Sequence, residues 1–203
     1  THYLSVEDNI DFSKYDIFYI GSGNKENFLF VLDNMLKHKN EFIKSYKENK
    51  FFIITGNALD FFGKAYYTND NIIKETLGLF IYEAHETDFR IVGETEATMK
   101  NSPKEIIGFQ NRSSVLKFVK DPHLFDIKSG TGYQPKSTSE GIKKNNFYGT
   151  YILGPILIRN PYFTEYLVKQ ILKDKKIEYQ EYQDKNEIKA YNEYKKNLLN
   201  EDI

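Results

Sequence analysis

The chain has 203 residues, with 28 Lys and Arg against 29 Asp and Glu, and no cysteine. This length predicts a single domain, 1–203, that is large enough to bury a core. The balanced charge argues against binding to nucleic acid or to an anionic membrane surface. Without cysteine, these residues form no disulfide, no thiolate metal site and no Cys-His catalytic pair.

The first part of the chain predicts a βαβ unit. Apolar runs at Ile17 to Ile20 and at Phe51 to Thr55 each end at a glycine, and Glu26 to Lys47 between them has a helical pattern. Strands joined in this way are parallel, and their crossover is right-handed. A ligand is then expected at the carboxyl ends of the strands.

The loop after the first predicted strand reads Gly21-Ser22-Gly23. Backbone N–H groups of such a loop can act as an oxyanion hole or hold a small carboxylate or phosphate. Glycine loops after strands are also common turns without a ligand, so both interpretations remain open.

The second predicted strand continues through Gly56 into a helical pattern, the arrangement that presents a nucleophile at the end of a sheet. The residue at such a turn is held at positive φ, which strains any residue with a Cβ, and glycine avoids the strain. The positive end of the helix is expected to face the same spot. Thr55 and Ser22 are the hydroxyls near this turn. Asp60 lies one helical turn after Gly56, and it either faces the cavity or, in the interpretation we favour, is a charge on the helix surface or in the first turn.

The middle of the chain predicts a small antiparallel extension. Strands are expected at Arg90 to Thr98, Glu105 to Phe109 and Val115 to Val119, separated by Asn-Ser-Pro and Asn-Arg-Ser-Ser turns. Residues Lys128 to Asn146, rich in Gly, Ser and Lys, predict a mobile surface loop.

The last part of the chain predicts one more strand and then helices. Phe147 to Ile152 is expected to be a strand, and Asn160-Pro161 to begin a helix. The polar stretch Lys173 to Ile203 predicts a solvated helix that packs one side on the body, with docking of a partner as the alternative.

The histidines and the hydropathy pattern add two negative expectations. No two of the four histidines have the spacing of metal ligands, so we expect neither a metal nor a cofactor, and we interpret His85 as part of a surface turn. The apolar runs are too short to span a bilayer, and the start does not resemble a secretion signal, so we expect a cytoplasmic protein.

Four segments resemble the class I glutamine amidotransferases, in the cobyric-acid-synthase-like branch that includes the GatD subunits of the lipid II amidating enzyme. They are Tyr15 to Gly23, Thr55 to Gly63, Gly108 to Asn111 and Gly149 to Pro155, in the order of the family. The resemblance implies a flavodoxin-like α/β fold, a mostly parallel sheet with helices on both faces and a small antiparallel extension. It also implies a first strand and helix before Thr1, so one interpretation is that the sequence is a piece of a longer protein.

The family's reactive positions carry other residues in this chain. Gly56 falls on the catalytic cysteine, Leu153 on the catalytic histidine and Val115 on an arginine that holds glutamine. We therefore expect no catalytic residue and a smaller, drier pocket filled by Leu153. Arg112 occupies the position of another family residue, a histidine near that arginine, and we do not expect Arg112 to replace the family's arginine. The positions left for a substrate or anion are Gly21, Ser22, Gly23, Asn57 and Val115.

Three functions are compatible with these observations. The first is an inactive amidotransferase-like subunit that binds a Mur-ligase-like synthetase in the amidation of a cell-wall precursor. The second is a glutaminase or other hydrolase with relocated catalytic residues, and the third is a binding module for a small carboxylate or phosphate. The resemblance favours the first, and fold alone does not decide among them.

Overall fold

The structure is a computed structural model that describes residues 1–5, 8–100, 102, 104–153, 155–181 and 186–201. Within these residues two β-sheets are flanked by α-helices. The strands are β1 (Ile17–Ile20), β2 (Phe51–Thr55), β3 (Ala65–Tyr67), β4 (Ile73–Glu75), β5 (Glu83–Thr98), β6 (Ile106–Lys117), β7 (Phe125–Ser129), β8 (Ser139–Glu140), β9 (Ile142–Lys144) and β10 (Phe147–Thr150). The α-helices are α1 (Lys25–Lys37), α2 (Lys39–Lys47), α3 (Ile156–Arg159), α4 (Pro161–Asp174) and α5 (Asn186–Glu201).

The first sheet has the strand order β1-β2-β10-β9. Both β1 and β10 pair in parallel with β2, and β9 is antiparallel to β10. The two strands of the predicted βαβ unit are confirmed with their bounds. Because β1, β2 and β10 are parallel, their carboxyl ends meet at one edge of this sheet.

Helices cover both faces of the first sheet because β2 is apolar on both sides. Phe52 and Ile54 pack in a core cluster with α1 and α2, whereas Phe51 and Ile53 pack in a second cluster with α3 and α4. A strand buried on both faces has a continuous apolar run instead of an alternating one. The predicted placement of helices on both faces is therefore confirmed.

The second sheet has the order β4-β3-β5-β7-β8, and β6 pairs with β5. The pair β5 and β6 is a long antiparallel hairpin whose register shifts between Glu86 and Ile91. The predicted α/β class is confirmed. In place of a small extension there is a six-stranded sheet, antiparallel except for the parallel pair of β3 and β5.

Two predicted boundaries in the first two thirds of the chain are wrong. The helix predicted from Glu26 to Lys47 is broken at His38 into α1 and α2. The turn predicted at Asn-Arg-Ser-Ser lies inside β6, since Asn111, Arg112 and Ser114 all pair with residues of β5. Tertiary pairing overrides the turn preference of these polar residues.

The predicted surface loop from Lys128 to Asn146 is also wrong. This segment contains β8, β9 and the end of β7, and both Glu140 and Ile142 are buried in it. Tyr133 donates its hydroxyl to the carbonyl oxygen of Gly141 at 2.9 Å, which ties the segment to itself.

The last helices agree in part with the sequence. As predicted, α4 begins at Pro161, directly after Asn160. The stretch predicted as one helix from Lys173 to Ile203 is divided between the end of α4 and α5, and residues 182–185 and 202–203 of it lie outside the described residues. None of the described helices combines the length and the apolar character needed to cross a membrane.

Candidate functional site

Gly56, Ser22 and Leu153 lie against one another at the edge where β1, β2 and β10 end. Gly56 has the predicted left-handed conformation, with φ of +63°. A Cβ atom on Gly56 would lie 2.5 Å from the Cβ of Ser22 and 2.6 Å from Cδ2 of Leu153. Nonbonded carbon atoms do not pack so closely, so this conformation of the turn leaves no space for a side chain at Gly56. Gly154, which follows Leu153 in the matched motif, lies outside the described residues.

The helix predicted after Gly56 is present as a 3-10 helix, Gly56–Phe62. Its side chains are buried almost all round, with Leu59 and Phe62 fully enclosed. A 3-10 helix of this length has poorer hydrogen-bond geometry and fewer aligned peptides than an α-helix. The expected attraction of an anion to a helix end is therefore not supported at this position.

The loop Gly21-Ser22-Gly23 is exposed and is held to the turn by Asn57. The N–H of Gly23 donates to Oδ1 of Asn57 at 3.0 Å, and Nδ2 of Asn57 donates to the carbonyl oxygen of Gly23 at 3.1 Å. One of the donors expected for an anion is thus already engaged. The reciprocal pair gives Asn57 a structural role in joining the two loops.

The hydroxyl groups near the turn lack an activating base. Thr55 Oγ1 is hydrogen-bonded to the hydroxyl of Tyr19 at 3.3 Å. In the described part of the chain, neither Thr55 nor Ser22 is hydrogen-bonded to a histidine, a lysine or a carboxylate. A serine or threonine nucleophile needs such a partner.

Val115 and His85 lie on the second sheet, opposite each other in the β5–β6 hairpin. Val115 is buried, and it is not among the residues that line the cavity described below. His85 belongs to a strand and not to the predicted surface turn; its ring stacks on Tyr67 with centroids 4.3 Å apart. Its Nε2 atom lies 3.1 Å from Oε2 of Glu83.

Asp60 is buried, which contradicts its interpretation as a surface charge, and it lines the cavity described below, in agreement with the alternative interpretation. Its side chain is 1% exposed; Oδ1 accepts from the hydroxyl of Tyr151 at 2.5 Å, and Oδ2 accepts from Oγ of Ser114 at 2.7 Å. Burial raises the pKa of Asp60 to about 6, although these hydrogen bonds and the positive charge of Arg112 oppose the change.

Arg112 is buried beside this carboxyl group. Nε donates to Oε1 of Gln110 at 2.9 Å, one terminal nitrogen donates to the carbonyl oxygen of Gly132 at 2.6 Å, and the other donates to that of Ser114. The guanidinium carbon lies 3.9 Å from the ring centroid of Tyr151, a cation–π contact. Protein groups thus engage all three guanidinium nitrogens of Arg112, and the expectation that it does not hold glutamine stays a prediction.

Glu140 completes what we call the buried polar cluster, which consists of Asp60, Arg112, Ser114, Glu140 and Tyr151. Its carboxylate accepts from Oγ1 of Thr150 at 2.6 Å and from the N–H of Tyr151 at 2.7 Å. Burial raises the pKa of Glu140 to about 7. The one feature of the sequence that could have indicated this cluster is a single aspartate within the apolar run Ala-Leu-Asp-Phe-Phe.

A cavity of about 450 Å³ opens beside the buried polar cluster. Its charged lining residues are Lys25, Glu26, Asp60, Glu86, Arg90 and Arg112. Arg90 donates from Nε to Oδ1 of Asn111 at 2.6 Å, and Lys25 forms an ion pair with Glu86. The mixed charges suit a polar ligand. Among the described residues, no group of three or more acidic or histidine side chains is placed to hold a metal ion.

Comparison with known proteins confirms the resemblance to glutamine amidotransferases. The chain is similar to two proteins of the same name, Lipid II isoglutaminyl synthase (glutamine-hydrolyzing) subunit GatD. It is 26% identical to the subunit of Staphylococcus aureus (strain N315) over 177 residues, which cover 87% of this chain and 72% of the relative. It is 27% identical to the subunit of Streptococcus pneumoniae (strain ATCC BAA-255 / R6) over 176 residues, 85% of this chain and 67% of the relative.

The chain was also compared with protein-family models and with solved structures. No protein-family model matches the chain. A solved glutamine amidotransferase from Thermotoga maritima aligns with 85% of this chain and 70% of its own, at 12% identity and a TM-score of 0.43.

Proposed function

We propose that the chain is a glutamine-amidotransferase-like subunit that does not hydrolyse glutamine. In this proposal it binds a Mur-ligase-like synthetase in the cytoplasm and takes part in the amidation of a cell-wall precursor. The similarity to GatD subunits supports the amidotransferase-like context. The observation that supports the proposed loss of activity is what we call the closed turn, in which Ser22 and Leu153 fill the place of a side chain at Gly56.

The chemistry of the family explains why a closed turn matters. Glutamine hydrolysis in class I amidotransferases proceeds through a covalent intermediate on a thiolate, which needs a nearby base. Gly56 offers no reactive atom, Leu153 offers no imidazole, and the 203 residues include no cysteine. An unactivated hydroxyl at Thr55 or Ser22 does not replace them.

The test is release of ammonia from glutamine by the purified chain. We expect background rates from the unaltered protein, and the same from Gly56→Cys, whose new side chain meets Ser22 and Leu153. The double variant Gly56→Cys with Leu153→His should recover trace hydrolysis at most, since Val115 leaves glutamine poorly held. Turnover well above background by the unaltered chain would contradict the proposal. If that turnover were abolished by Thr55→Ala or Ser22→Ala, a relocated nucleophile would be identified.

A second candidate function is binding of a small polar ligand in the cavity of about 450 Å³. Arg90 is exposed at this cavity, and only its Nε atom has a hydrogen-bond partner among the described side chains, so its terminal nitrogens remain available to a carboxylate or phosphate. A ligand that binds the folded chain raises its melting temperature by mass action.

Thermal unfolding with millimolar glutamate, phosphate or sulfate tests this second function. We expect a rise in melting temperature that is lost in Arg90→Ala and kept in Arg159→Ala, a matched change outside the cavity. If none of the three anions changes the melting temperature, this candidate is excluded and the first remains.

A further inference from the structure

A groove of about 650 Å³ lies between α3, α4, the segment 177–181 and the start of α5. It shares no lining residue with the cavity beside the buried polar cluster. Its apolar lining residues include Leu157, Ile158, Val168, Leu172, Ile177 and Ile188. The groove is therefore a second concave site, independent of the proposed function.

Several of these aliphatic side chains are exposed to solvent. Ile158 is 70% exposed, Ile177 is 57% exposed and Val168 is 37% exposed. Single exposed apolar residues are ordinary on protein surfaces, but a concentration of them in one concave place marks a site for a partner.

Glutamates surround the apolar part of the groove. They are Glu165, Glu178, Glu181 and Glu187. Among the described residues, one of the four, Glu165, forms an ion pair, with Lys169 at 2.7 Å, and the negative charge of Glu181 also acts on this lysine. The chain as a whole has a formal net charge of −1, so this local excess of negative charge does not reflect a generally acidic surface.

We propose that this groove binds an amphipathic helix of a partner protein, with aliphatic side chains in the groove and Lys or Arg on both flanks. Two walls of the groove are helices, and an apolar stripe spaced i, i+3, i+4 and i+7 fits between helices. Positive flanks complement the glutamates and exclude partners with acidic flanks. Since the attraction acts between exposed charges, added salt weakens the binding.

Fluorescence anisotropy with a labelled helical peptide tests the proposal on the whole chain. The probe has leucine along one face and lysine on its flanks, and a second probe replaces each lysine by glutamate. We expect saturable binding of the lysine probe, at least tenfold weaker binding of the glutamate probe, and weaker binding of the lysine probe as salt is added.

Surface variants locate the binding site. Ile158→Glu should weaken binding of the lysine probe at least tenfold, and Glu178→Lys with Glu181→Lys should favour the glutamate probe instead. The matched control is Ile73→Glu, because Ile73 is 62% exposed on β4 and does not line the groove; it should leave binding unchanged.

Three results would overturn this assignment. One is the lack of saturable binding by the lysine probe, and another is equal binding of both probes. The third is a dimer in sedimentation that Ile158→Glu dissociates, which would show that a second copy of this chain occupies the groove.

Discussion

The residue at position 56 determines both the backbone conformation of the turn and the reactive atoms that are available there. Its φ of +63° suits glycine, and the space where a side chain would stand is filled by Ser22 and Leu153. In an active amidotransferase the strain of a left-handed cysteine is balanced by function, whereas glycine here removes the strain. The proposed loss of activity therefore rests on the two neighbours that occupy the place of a side chain at this position.

We predict that Gly56→Ala destabilises the chain. The left-handed conformation costs a residue with a Cβ about 1–2 kcal/mol, and crowding against Ser22 and Leu153 adds about 1–3 kcal/mol. Gly23→Ala is the control, because a Cβ there meets nothing within 4 Å. Urea unfolding should show a lower free energy of unfolding for the first variant and a change below about 0.5 kcal/mol for the second. Equal stability of the two variants would mean that the turn adapts.

The sequence predicted the residues at the Gly56 turn better than the residues of the buried polar cluster. Glycine after an apolar strand indicates the turn directly, and the matched motifs indicate Leu153 as its neighbour in space. Glu140 gives no such signal, and Asp60 gives only its place in an apolar run. Whether a carboxylate is buried depends on partners that are distant in sequence, here Ser114, Tyr151 and Thr150.

At the scale of elements, continuous apolar runs were reliable and polar turns were not. The strand β2 is apolar on both faces, so its position and bounds followed from the sequence alone. The polar residues within β6 instead resemble a turn, and they remain in a strand because Arg112 donates to the carbonyl oxygen of Gly132 and Ser114 donates to Asp60. Local propensity does not record these tertiary bonds.

The helix α5 is attached to the second sheet by a few side chains. Tyr191 is buried, and its hydroxyl donates to the carbonyl oxygen of Glu105 at 2.9 Å. Lys195 donates to Oε2 of Glu105 at 2.6 Å, and with Lys128 it lowers the pKa of Glu105 to about 2. Tyr194 donates to Oε1 of Glu94 at 2.6 Å.

We predict that Tyr191→Ala releases α5 locally. Truncating a buried aromatic side chain costs about 3 kcal/mol or more, and a terminal helix opens separately from the core. Amide hydrogen exchange in 186–197 should become at least about tenfold faster, while exchange in β2 stays slow. Glu193→Ala, an exposed change on the same helix, should have little effect. If exchange in β2 accelerated equally, α5 would be part of the global unfolding unit.

At the scale of the whole molecule, the buried polar cluster connects the two sheets. Tyr151 follows β10 of the first sheet, whereas Arg112 and Glu140 lie on β6 and β8 of the second. Two buried carboxyl groups around one guanidinium are costly to desolvate, and their hydrogen bonds define a single arrangement of the sheets.

We predict that the free energy of unfolding decreases as the pH rises from 5 to 8. The folded chain holds the protons of Asp60 and Glu140 more tightly than the unfolded chain, because burial raises their pKa values to about 6 and about 7. The two carboxyl groups contribute their full stabilisation when the pH is below the ordinary carboxyl pKa values. This stabilisation is lost as the pH rises through the raised pKa values of the folded chain. The loss should be about 4 kcal/mol, because pH 5 lies about one unit below the pKa of Asp60 and about two units below that of Glu140, at about 1.4 kcal/mol per unit.

Urea unfolding across this pH range, with Glu140→Gln as the comparison, isolates the contribution. The amide oxygen of the Gln side chain can still accept from the N–H of Tyr151, and its NH2 group can donate to Oγ1 of Thr150. The side chain of this variant therefore mimics the protonated acid. The variant should have a shallower dependence on pH. An unchanged slope in Asp60→Asn with Glu140→Gln would assign the pH dependence to other groups.

The connectivity of the two sheets has a consequence for the order of folding. The β5–β6 hairpin joins neighbouring segments, so closing it costs little chain entropy, whereas β10 must return to β2 after the entire second sheet has been traversed. We expect the hairpin to form early and the pairing of β10 with β2 to form late. Leu153 then reaches Gly56 in a final step, so a kinetic intermediate with an intact hairpin would still lack the closed turn.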